Sequence, residues 1–377
     1  MSNQTIAIVI NTSWNIYNFR LGLLNALRER GFRIVAIAPH DGYSAKLQAL
    51  GFDYHDIKIN NKGTNPLQDL LLIWSFFKIF RKLKPDLILQ YTIKPNIYGT
   101  LAAKLAGIPT INNISGLGTV FLNNNISSRI ARMLYRISLR FAYKVFFQNP
   151  HDRKLFIDNK LVKERKSGLL PGSGIDLDKF HPVETKKTAD SPFVFLLIAR
   201  MIKDKGVFEF VEAARRLIAS QKDLKRGVEF WLLGDLYPDN PTAIKTEQIK
   251  QWQENDGIKY WGHSDDVTAY INQADCVVLP SYREGLSRVL LEAAALAKPI
   301  ITTNVPGCKD VVDDGCNGFL CKLKDIEDLA KQLRKMLCLS DDDLREMGKQ
   351  GRQKIEQKFD EKIVIKQYLE VIKQKIN

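Results

Sequence analysis

Two rhythms of apolar and polar positions alternate along the chain. Unbroken apolar runs such as Ile6-Ala7-Ile8-Val9-Ile10 predict strands buried on both faces, because such a strand has no polar side to show. The spacing predicts further strands over 33–38, 86–90, 110–114 and 145–148. Between them the period changes to that of helices, over 19–31, 43–50, 97–106 and 127–143, with a polar loop over 11–18. Residues 66–84 predict a long helix, apolar nearly all round until Lys78, Arg81, Lys82 and Lys84, and Pro85 stops it.

Between 168 and 191 the text changes, punctuated by Gly168, Pro171, Gly172, Gly174, Pro182 and Pro192. The pattern then restarts, with strands over 193–199, 228–233, 258–261, 276–279 and 300–303. Helices fall between these strands, and two more, over 341–358 and 361–375, close the chain. Repeated strand–helix units of this length predict an α/β protein with two Rossmann-like, doubly wound parallel sheets. The expected divisions are a first domain over 1–170, a linker over 171–191 and a second domain over 192–358. A final helix over 359–377 is expected to cross back to the first domain. Ligands of such sheets bind outside the carboxyl ends of the strands, so the cleft between the domains is the expected site.

The length of 377 residues suits two such domains, and 45% hydrophobic with 26% charged residues marks a folded, water-soluble chain. The longest apolar window, 70–77, is too short to span a bilayer, and residues 1–10 lack the features of a signal peptide. Five cysteines at 276, 308, 316, 321 and 338 form no CxxC pair, as expected of reduced thiols in the cytoplasm. Charge is unevenly placed. Residues 1–180 hold 25 Lys and Arg against 11 Asp and Glu, and the remainder holds 31 of each. A basic first half points to an anionic membrane surface or another polyanion. No helix-turn-helix, zinc-finger or RNP-like signature is present, so nucleic acid is not the expected partner.

One stretch concentrates chemistry. Pro280-Ser281-Tyr282-Arg283-Glu284-Gly285-Leu286-Ser287 follows the strand over 276–279 and opens a helix. The amino end of a helix carries unpaired N–H groups and a favourable dipole for a phosphate. Glu284 and Glu292 bracket it, eight positions apart, which spans up to roughly 12 Å of helix. An anion held between them leaves one carboxylate for polar groups on each side, the layout of a nucleotide diphospho-sugar. Arg200, at a strand end, and Lys205, before the next helix, are placed to meet the same edge; Arg grips phosphate oxygens bidentately and Lys acts as a point charge. Gly234 and Gly262 end two further strands and permit close backbone approach, a weaker signal. The other reading of these residues is a solvated turn with incidental charges.

Arg200 with Lys205, Gly234, Gly262 and Glu284-x7-Glu292 followed by Ala293 resemble glycosyltransferase family 4. Pro299, the turn from Asn304 to Gly307, and Asn317-Gly318 extend the resemblance. So does Gly172-x-Gly174-Ile175-Asp176 with Phe180-x-Pro182, which is similar to the family's linker. It implies the GT-B fold and a retaining transfer of a hexose or N-acetylhexosamine from a nucleotide sugar, UDP being favoured. It also implies roles: Arg200 and Lys205 on the donor diphosphate, Glu284 on the sugar hydroxyls, Glu292 on the ribose. Backbone N–H groups of Leu286 and Ser287, beside Gly285, would meet the phosphates, and groups near Gly262 the base. No cofactor is implied beyond the donor, which is a substrate. Asp176-Leu177-Asp178 spells the D-x-D of metal-dependent transferases but lies in the linker, so no metal site is expected.

The first domain departs from the family's commoner pattern, with no glycine-rich first loop and with Ser115-Gly116-Leu117-Gly118 where a histidine is usual. That form, with Tyr91-x2-Lys94 and Gln148-Asn149, resembles a bacterial subgroup that extends lipid-linked oligosaccharides, N-acetylgalactosaminyl transfer included. Lys94, Ser115, Gly116 and Asn149 are candidate acceptor or donor-sugar contacts, with strand-end packing as the alternative, and Arg129, Arg132 and Arg136 are further acceptor candidates. His151 reads as a helix start. Arg129, Arg132, Arg136 and Arg140 recur at steps of three and four and share one face. Like charges so placed repel, and a polyprenyl diphosphate or an anionic leaflet would relieve them. The helix over 66–84 is a candidate interfacial anchor beside them. The expected place is the cytoplasmic face of the inner membrane, held peripherally, with a lipid-linked saccharide as acceptor. Rival readings are a sugar-nucleotide 2-epimerase on the same scaffold, a non-catalytic binding scaffold, and a transferase with a soluble acceptor.

Overall fold

The computed structural model describes residues 4–60, 65–117, 126–183, 188, 191–219, 227–238 and 240–376. It divides into two compact units, Met1–Gly174 with Glu361–Asn377, and Ile175–Asp360.

The first unit is built on seven parallel strands: β1 (Thr5–Val9), β2 (Arg33–Ala38), β3 (Asp53–Asp56), β4 (Leu87–Tyr91), β5 (Thr110–Ile114), β6 (Lys144–Phe147) and β7 (Ser167–Leu169). Their order across the sheet is β3-β2-β1-β4-β5-β6-β7. Helices α1 (Ser13–Phe19), α2 (Leu21–Glu29), α3 (Ser44–Ala49), α4 (Pro66–Leu83), α5 (Thr100–Ala106), α6 (Ile126–Ser138) and α7 (Pro150–Asp158) connect them. The continuous apolar run of β1 is explained by the two faces it serves. Ala7 and Val9 enter the core that α4 closes with Leu72, Phe76 and Phe80. Ile6 and Ile8 enter the opposite core, closed by Leu23, Leu24 and Leu27 of α2.

Local chemistry sets the helix ends. Asn65 caps α4, its side chain accepting from Leu67 N and Gln68 N at 3.0 and 3.3 Å, with Pro66 in the first turn. Lys84 ends it in the left-handed region at φ 46°.

The second unit repeats the plan with β8 (Phe193–Ile198), β9 (Val228–Leu233), β10 (Ile258–Tyr260), β11 (Cys276–Leu279), β12 (Ile300–Thr303) and β13 (Gly318–Cys321), all parallel, in the order β10-β9-β8-β11-β12-β13. Its helices are α8 (Val207–Ala219), α9 (Thr246–Asn255), α10 (Thr268–Gln273), α11 (Arg288–Ala295), α12 (Ile326–Leu337) and α13 (Asp341–Lys358). Phe193, Phe195 and Leu197 face one core, Val194, Leu196 and Ile198 the other. Helix α13 lies close against the end of α11 because Gly348 has no side chain: a Cβ there would stand 2.0 Å from the Ala297 carbonyl oxygen. Arg352, one turn on, donates to the Ala295 carbonyl at 2.9 Å. The last helix, α14 (Glu361–Ile376), belongs to the first unit, where Val364, Tyr368 and Ile372 join the α2 core.

Three expectations are corrected. Residues expected as a polar loop form α1, because Thr12 caps them, its hydroxyl accepting from Asn15 N at 3.2 Å, and Ile16 is buried. The helix expected over 127–143 ends at Ser138, so Arg140 lies beyond it. Part of the expected linker is core: Ile175 and Phe180 are buried in the second unit.

Candidate active site

In a doubly wound sheet the ligand crevice opens where the strand order reverses, between the first strand and the fourth. In the second unit those strands are β8 and β11, and the residues after them are Arg200 to Gly206 and Pro280 to Ser287. The two loops are sewn together by backbone contacts. Tyr282 N donates to Asp204 O at 2.9 Å, and Ser281 Oγ reaches the same carbonyl at 3.2 Å. Gly206 turns at φ +73°, and a Cβ on it would stand 2.2 Å from the Pro280 carbonyl oxygen.

This seam brings Lys205 and Glu284 into direct contact, Nζ to Oε1, with only 17% and 15% of their side chains exposed. Ser281 Oγ donates to the same carboxylate oxygen at 2.8 Å. A third loop supports Glu284 from behind: its N–H donates to Pro306 O at 3.3 Å, and Gly307 lies so near that a Cβ would stand 2.4 Å from the Glu284 carbonyl oxygen. Glu292, on α11, is 6% exposed and accepts from Arg288 Nε at 2.8 Å. Arg288 in turn lies over the Phe180 ring, 5.6 Å from its centre. Each acid of the pair therefore carries its own cation. Arg288 was not among the sequence candidates, although an Arg four residues before a Glu on a helix is a readable signal.

No side chain caps α11 at Ser287, and the amino end of the helix carries the positive end of its dipole. The expected phosphate contact from Ser287 N is corrected: that N–H donates to Gly307 O at 3.0 Å, as part of the turn that props Glu284. Arg200 is exposed at the end of β8, its guanidinium 5.5 Å from the Tyr237 ring centre. Gly234 and Gly262 meet at the ends of β9 and β10, where Gly234 N donates to Gly262 O at 2.7 Å. At Gly234, φ +142°, a Cβ would stand 1.8 Å from the Ala199 carbonyl oxygen, so only glycine fits. His263 joins the two loops, Nδ1 to Asp235 Oδ2 at 3.0 Å.

Beneath the loops, burial, with the charge of Glu284 adding, pushes the Cys308 thiol up to about 12, so it stays protonated and is no nucleophile. Asp176-Leu177-Asp178 is a turn: the Asp176 carboxylate accepts from Asp178 N and Lys179 N, both at 3.0 Å.

The same switch point in the first unit, between β1 and β4, is furnished differently. Thr92 follows β4 in the left-handed region at φ 63°, a strained backbone for a β-branched residue. Lys94 is tied to Asp69 Oδ1 at 2.7 Å, and Tyr98 holds the other carboxylate oxygen at 2.7 Å. Ser115 Oγ donates to Asn113 Oδ1 at 3.1 Å, and Gly116 turns at φ +144°. Asn149 is corrected from a free acceptor contact to the cap of α7, its Oδ1 accepting from Asp152 N at 2.8 Å. The Asn-Pro pair opening α7 signals that cap. Behind these residues Asn112 Nδ2 bonds Asn96 Oδ1 and Thr100 Oγ1 at 3.0 and 2.7 Å, a buried amide network. Gly118 lies outside the described residues.

On α6, Arg129 and Arg136 are exposed, and Arg136 donates to Asn159 O at 3.0 Å. Arg132 is half-buried. Exposed beside them are Ile130, Met133 and Ile137, and α4 exposes Leu67, Leu70, Leu71 and Trp74. Among the described residues no helix is long and apolar enough to cross a membrane.

Residues 192–338 match the family described as glycosyl transferases group 1, and residues 5–149 match glycosyl transferase 4-like. The chain is 30% identical to the N,N'-diacetylbacillosaminyl-diphospho-undecaprenol alpha-1,3-N-acetylgalactosaminyltransferase of Campylobacter jejuni, over 97% of each chain. The chain belongs to the family 4 glycosyltransferases. This glycosyltransferase is also 25% identical to the UDP-Gal:alpha-D-GlcNAc-diphosphoundecaprenol alpha-1,3-galactosyltransferase of Escherichia coli, over 77% of this chain and 75% of that one. Among solved structures, Anabaena HepE in complex with UDP and glucose superposes with a TM-score of 0.78 at 19% identity, covering 99% of this chain and 100% of that chain. Two parallel-sheet units with these neighbours give the glycosyltransferase a GT-B fold.

Proposed function

We propose that this glycosyltransferase moves a hexose or N-acetylhexosamine, with retention and without a metal, from a UDP-sugar to a saccharide on a polyprenyl diphosphate. The contact between Lys205 and Glu284 at the switch point carries the reading. Breaking the anomeric C–O bond builds positive character on the sugar and negative charge on the departing diphosphate. A fixed ammonium and the dipole at the amino end of α11 stabilise that negative charge, and Arg200 adds a further cation at the strand end. Glu284 orients sugar hydroxyls and Glu292, held by Arg288, those of the ribose. The acceptor class rests on likeness to the two undecaprenol-linked transferases.

The exposed apolar and basic residues of α4 and α6 support a peripheral place on the cytoplasmic face of the inner membrane. Charge reversal at Arg132 and Arg136 is expected to weaken binding to anionic vesicles; unchanged binding would count against the membrane reading.

The central test is a screen of UDP-sugars with a polyprenyl-diphosphate saccharide, product mass and anomeric configuration being read. Glu284→Gln is expected to abolish transfer while the chain stays folded, and full activity in that variant would sink the site. Loss of transfer on chelation would refute the metal-free mechanism. An epimer formed from donor alone would move the assignment to the isomerase reading.

A further inference from the structure

The first unit has a second cationic feature at the opposite edge of its sheet from Lys94 and Ser115. Residues 139–144 and 160–166 enclose two adjoining hollows, of about 790 and 500 Å³, which share Arg165 and Lys166. Arg140, Lys160 and Lys163 also line the first, and Lys144 and Lys375 the second. Among the described residues that line the hollows the one acid is Glu164, 72% exposed and turned to Arg153 at 3.3 Å. No acidic residue occurs between Asp86 and Asp152, so α5 and α6 supply none.

The cations are held there at a cost. Lys166 Nζ donates to the carbonyls of Arg140 and Ala142, each at 2.6 Å, and burial together with Arg165 and Lys163 pushes its pKa down. Burial and the nearby Arg153 push Lys144 down in the same direction. Crowded cations with so little compensating acid are relieved by an anion. The surroundings state what kind. The hollows begin where α6 ends, and the exposed apolar strip of α6 runs into them through Ile137 and Phe141, the latter lining the second hollow. An anion with an apolar body fits both parts.

We propose that this basin holds the phosphate headgroup of an anionic phospholipid, with the acyl chains directed along the apolar strip of α6. The site is separate from Lys94, Ser115, Gly116 and Asn149, and it rests on the peripheral-membrane reading. With α6 lying in the interface, the basin at its carboxyl end reaches the headgroup layer.

The test uses the full chain and the double variant Lys163→Ala/Arg165→Ala, both exposed positions. Dihexanoyl phosphatidylglycerol below its micellar concentration, dihexanoyl phosphatidylcholine and inorganic phosphate are titrated separately, and resonances of residues 139–166 are followed. Saturable shifts with phosphatidylglycerol, absent with phosphatidylcholine and weakened by about tenfold or more in the variant, are expected. Inorganic phosphate binding as tightly as phosphatidylglycerol would replace the lipid by a free anion and overturn the proposal. So would wild-type affinity in the variant, or a single-stranded polynucleotide displacing the lipid at physiological salt. Transfer to a short-chain acceptor in detergent-free solution is measured in parallel and is expected to be unchanged in the variant. Failure of lipid binding with transfer intact strikes this site alone; absence of transfer in the wild type strikes the functional reading instead.

Discussion

The two units wind their first six strands in the same order, yet they hold charge at different places. In the second unit two largely buried ion pairs stand at the carboxyl edge of the sheet, Lys205 with Glu284 and Arg288 with Glu292. In the first unit that edge is mostly neutral, a web of Asn96, Asn112, Asn113 and Ser115, with Lys94 quenched by Asp69. Its surplus cations lie instead on α6 and at the amino edge. The shared topology fixes where a crevice opens, and the loop residues decide what each crevice can bind. A fixed pair of charges would suit a diphosphate held in one place. An edge of amides and hydroxyls suits neutral sugar hydroxyls, and the basic surface suits an anionic anchor.

The largest effect should separate the two lysines. Lys205→Ala is expected to lower turnover by about 10²–10³-fold, as loss of a fixed charge at a developing anion does. Lys94→Ala leaves Asp69 bonded to Tyr98 and should lower turnover by less than tenfold. Equal losses in steady-state assays would break the comparison.

Next come the backbone positions. Gly234→Ala drives a Cβ into the Ala199 carbonyl and should destabilise the second unit by about 3 kcal/mol or more in denaturant melts. Gly107→Ala in the first unit, at φ +76° with nothing within 4 Å, should cost only about 1 kcal/mol. Asn112→Ala strips partners from Asn96, Thr100 and Thr110 and should cost about 1–3 kcal/mol by the same melts. A neutral outcome would mean that water replaces the amide.

The smallest difference concerns alkaline pH. Burial raises Cys308 and Cys321 to about 12 from the ordinary 9.0, so the folded second unit keeps protons that its unfolded chain releases. Its stability is full below pH 9 and falls as pH rises toward 12. In the first unit the raised groups are Tyr91, Tyr98, Tyr135 and Tyr368, held up mainly by burial above the ordinary 10.0, so its decline begins near pH 10. An alkaline titration should therefore loosen the second unit first, as read by Trp231 and Trp252 fluorescence against Trp14 and Trp74. Cys308→Ala should narrow the gap.

Central strands were legible because burial on both faces leaves an unbroken apolar run. Of the four edge strands only β10 was legible: β3 reads Asp53-Tyr54-His55-Asp56, and β7 and β13 are short and gave no signal. Helix α1 was hidden because asparagine and serine at a helix start look like a loop until the cap at Thr12 is recognised. Glu284, Glu292, Lys205 and Arg200 were legible from position along the strand–helix pattern. Their partners were legible only when local. Arg288 lies one turn from Glu292 and could have been read, whereas Asp69, 25 residues from Lys94, is brought there by the fold alone. Ser287 shows the same limit, since the carbonyl that occupies its N–H comes from a different strand's loop.

Helix α13 bears on the far end of α11, the helix that follows the loop over 280–287. Helix α11 has only eight residues, about 12 Å of stiff rod, and its far end is gripped by the groove at Gly348 and by Arg352. A methyl group inserted at Gly348 would lift that end and swing the other, so a change remote from the chemistry would surface as poorer donor affinity. So displaced, the rod would act as a lever worked from Gly348.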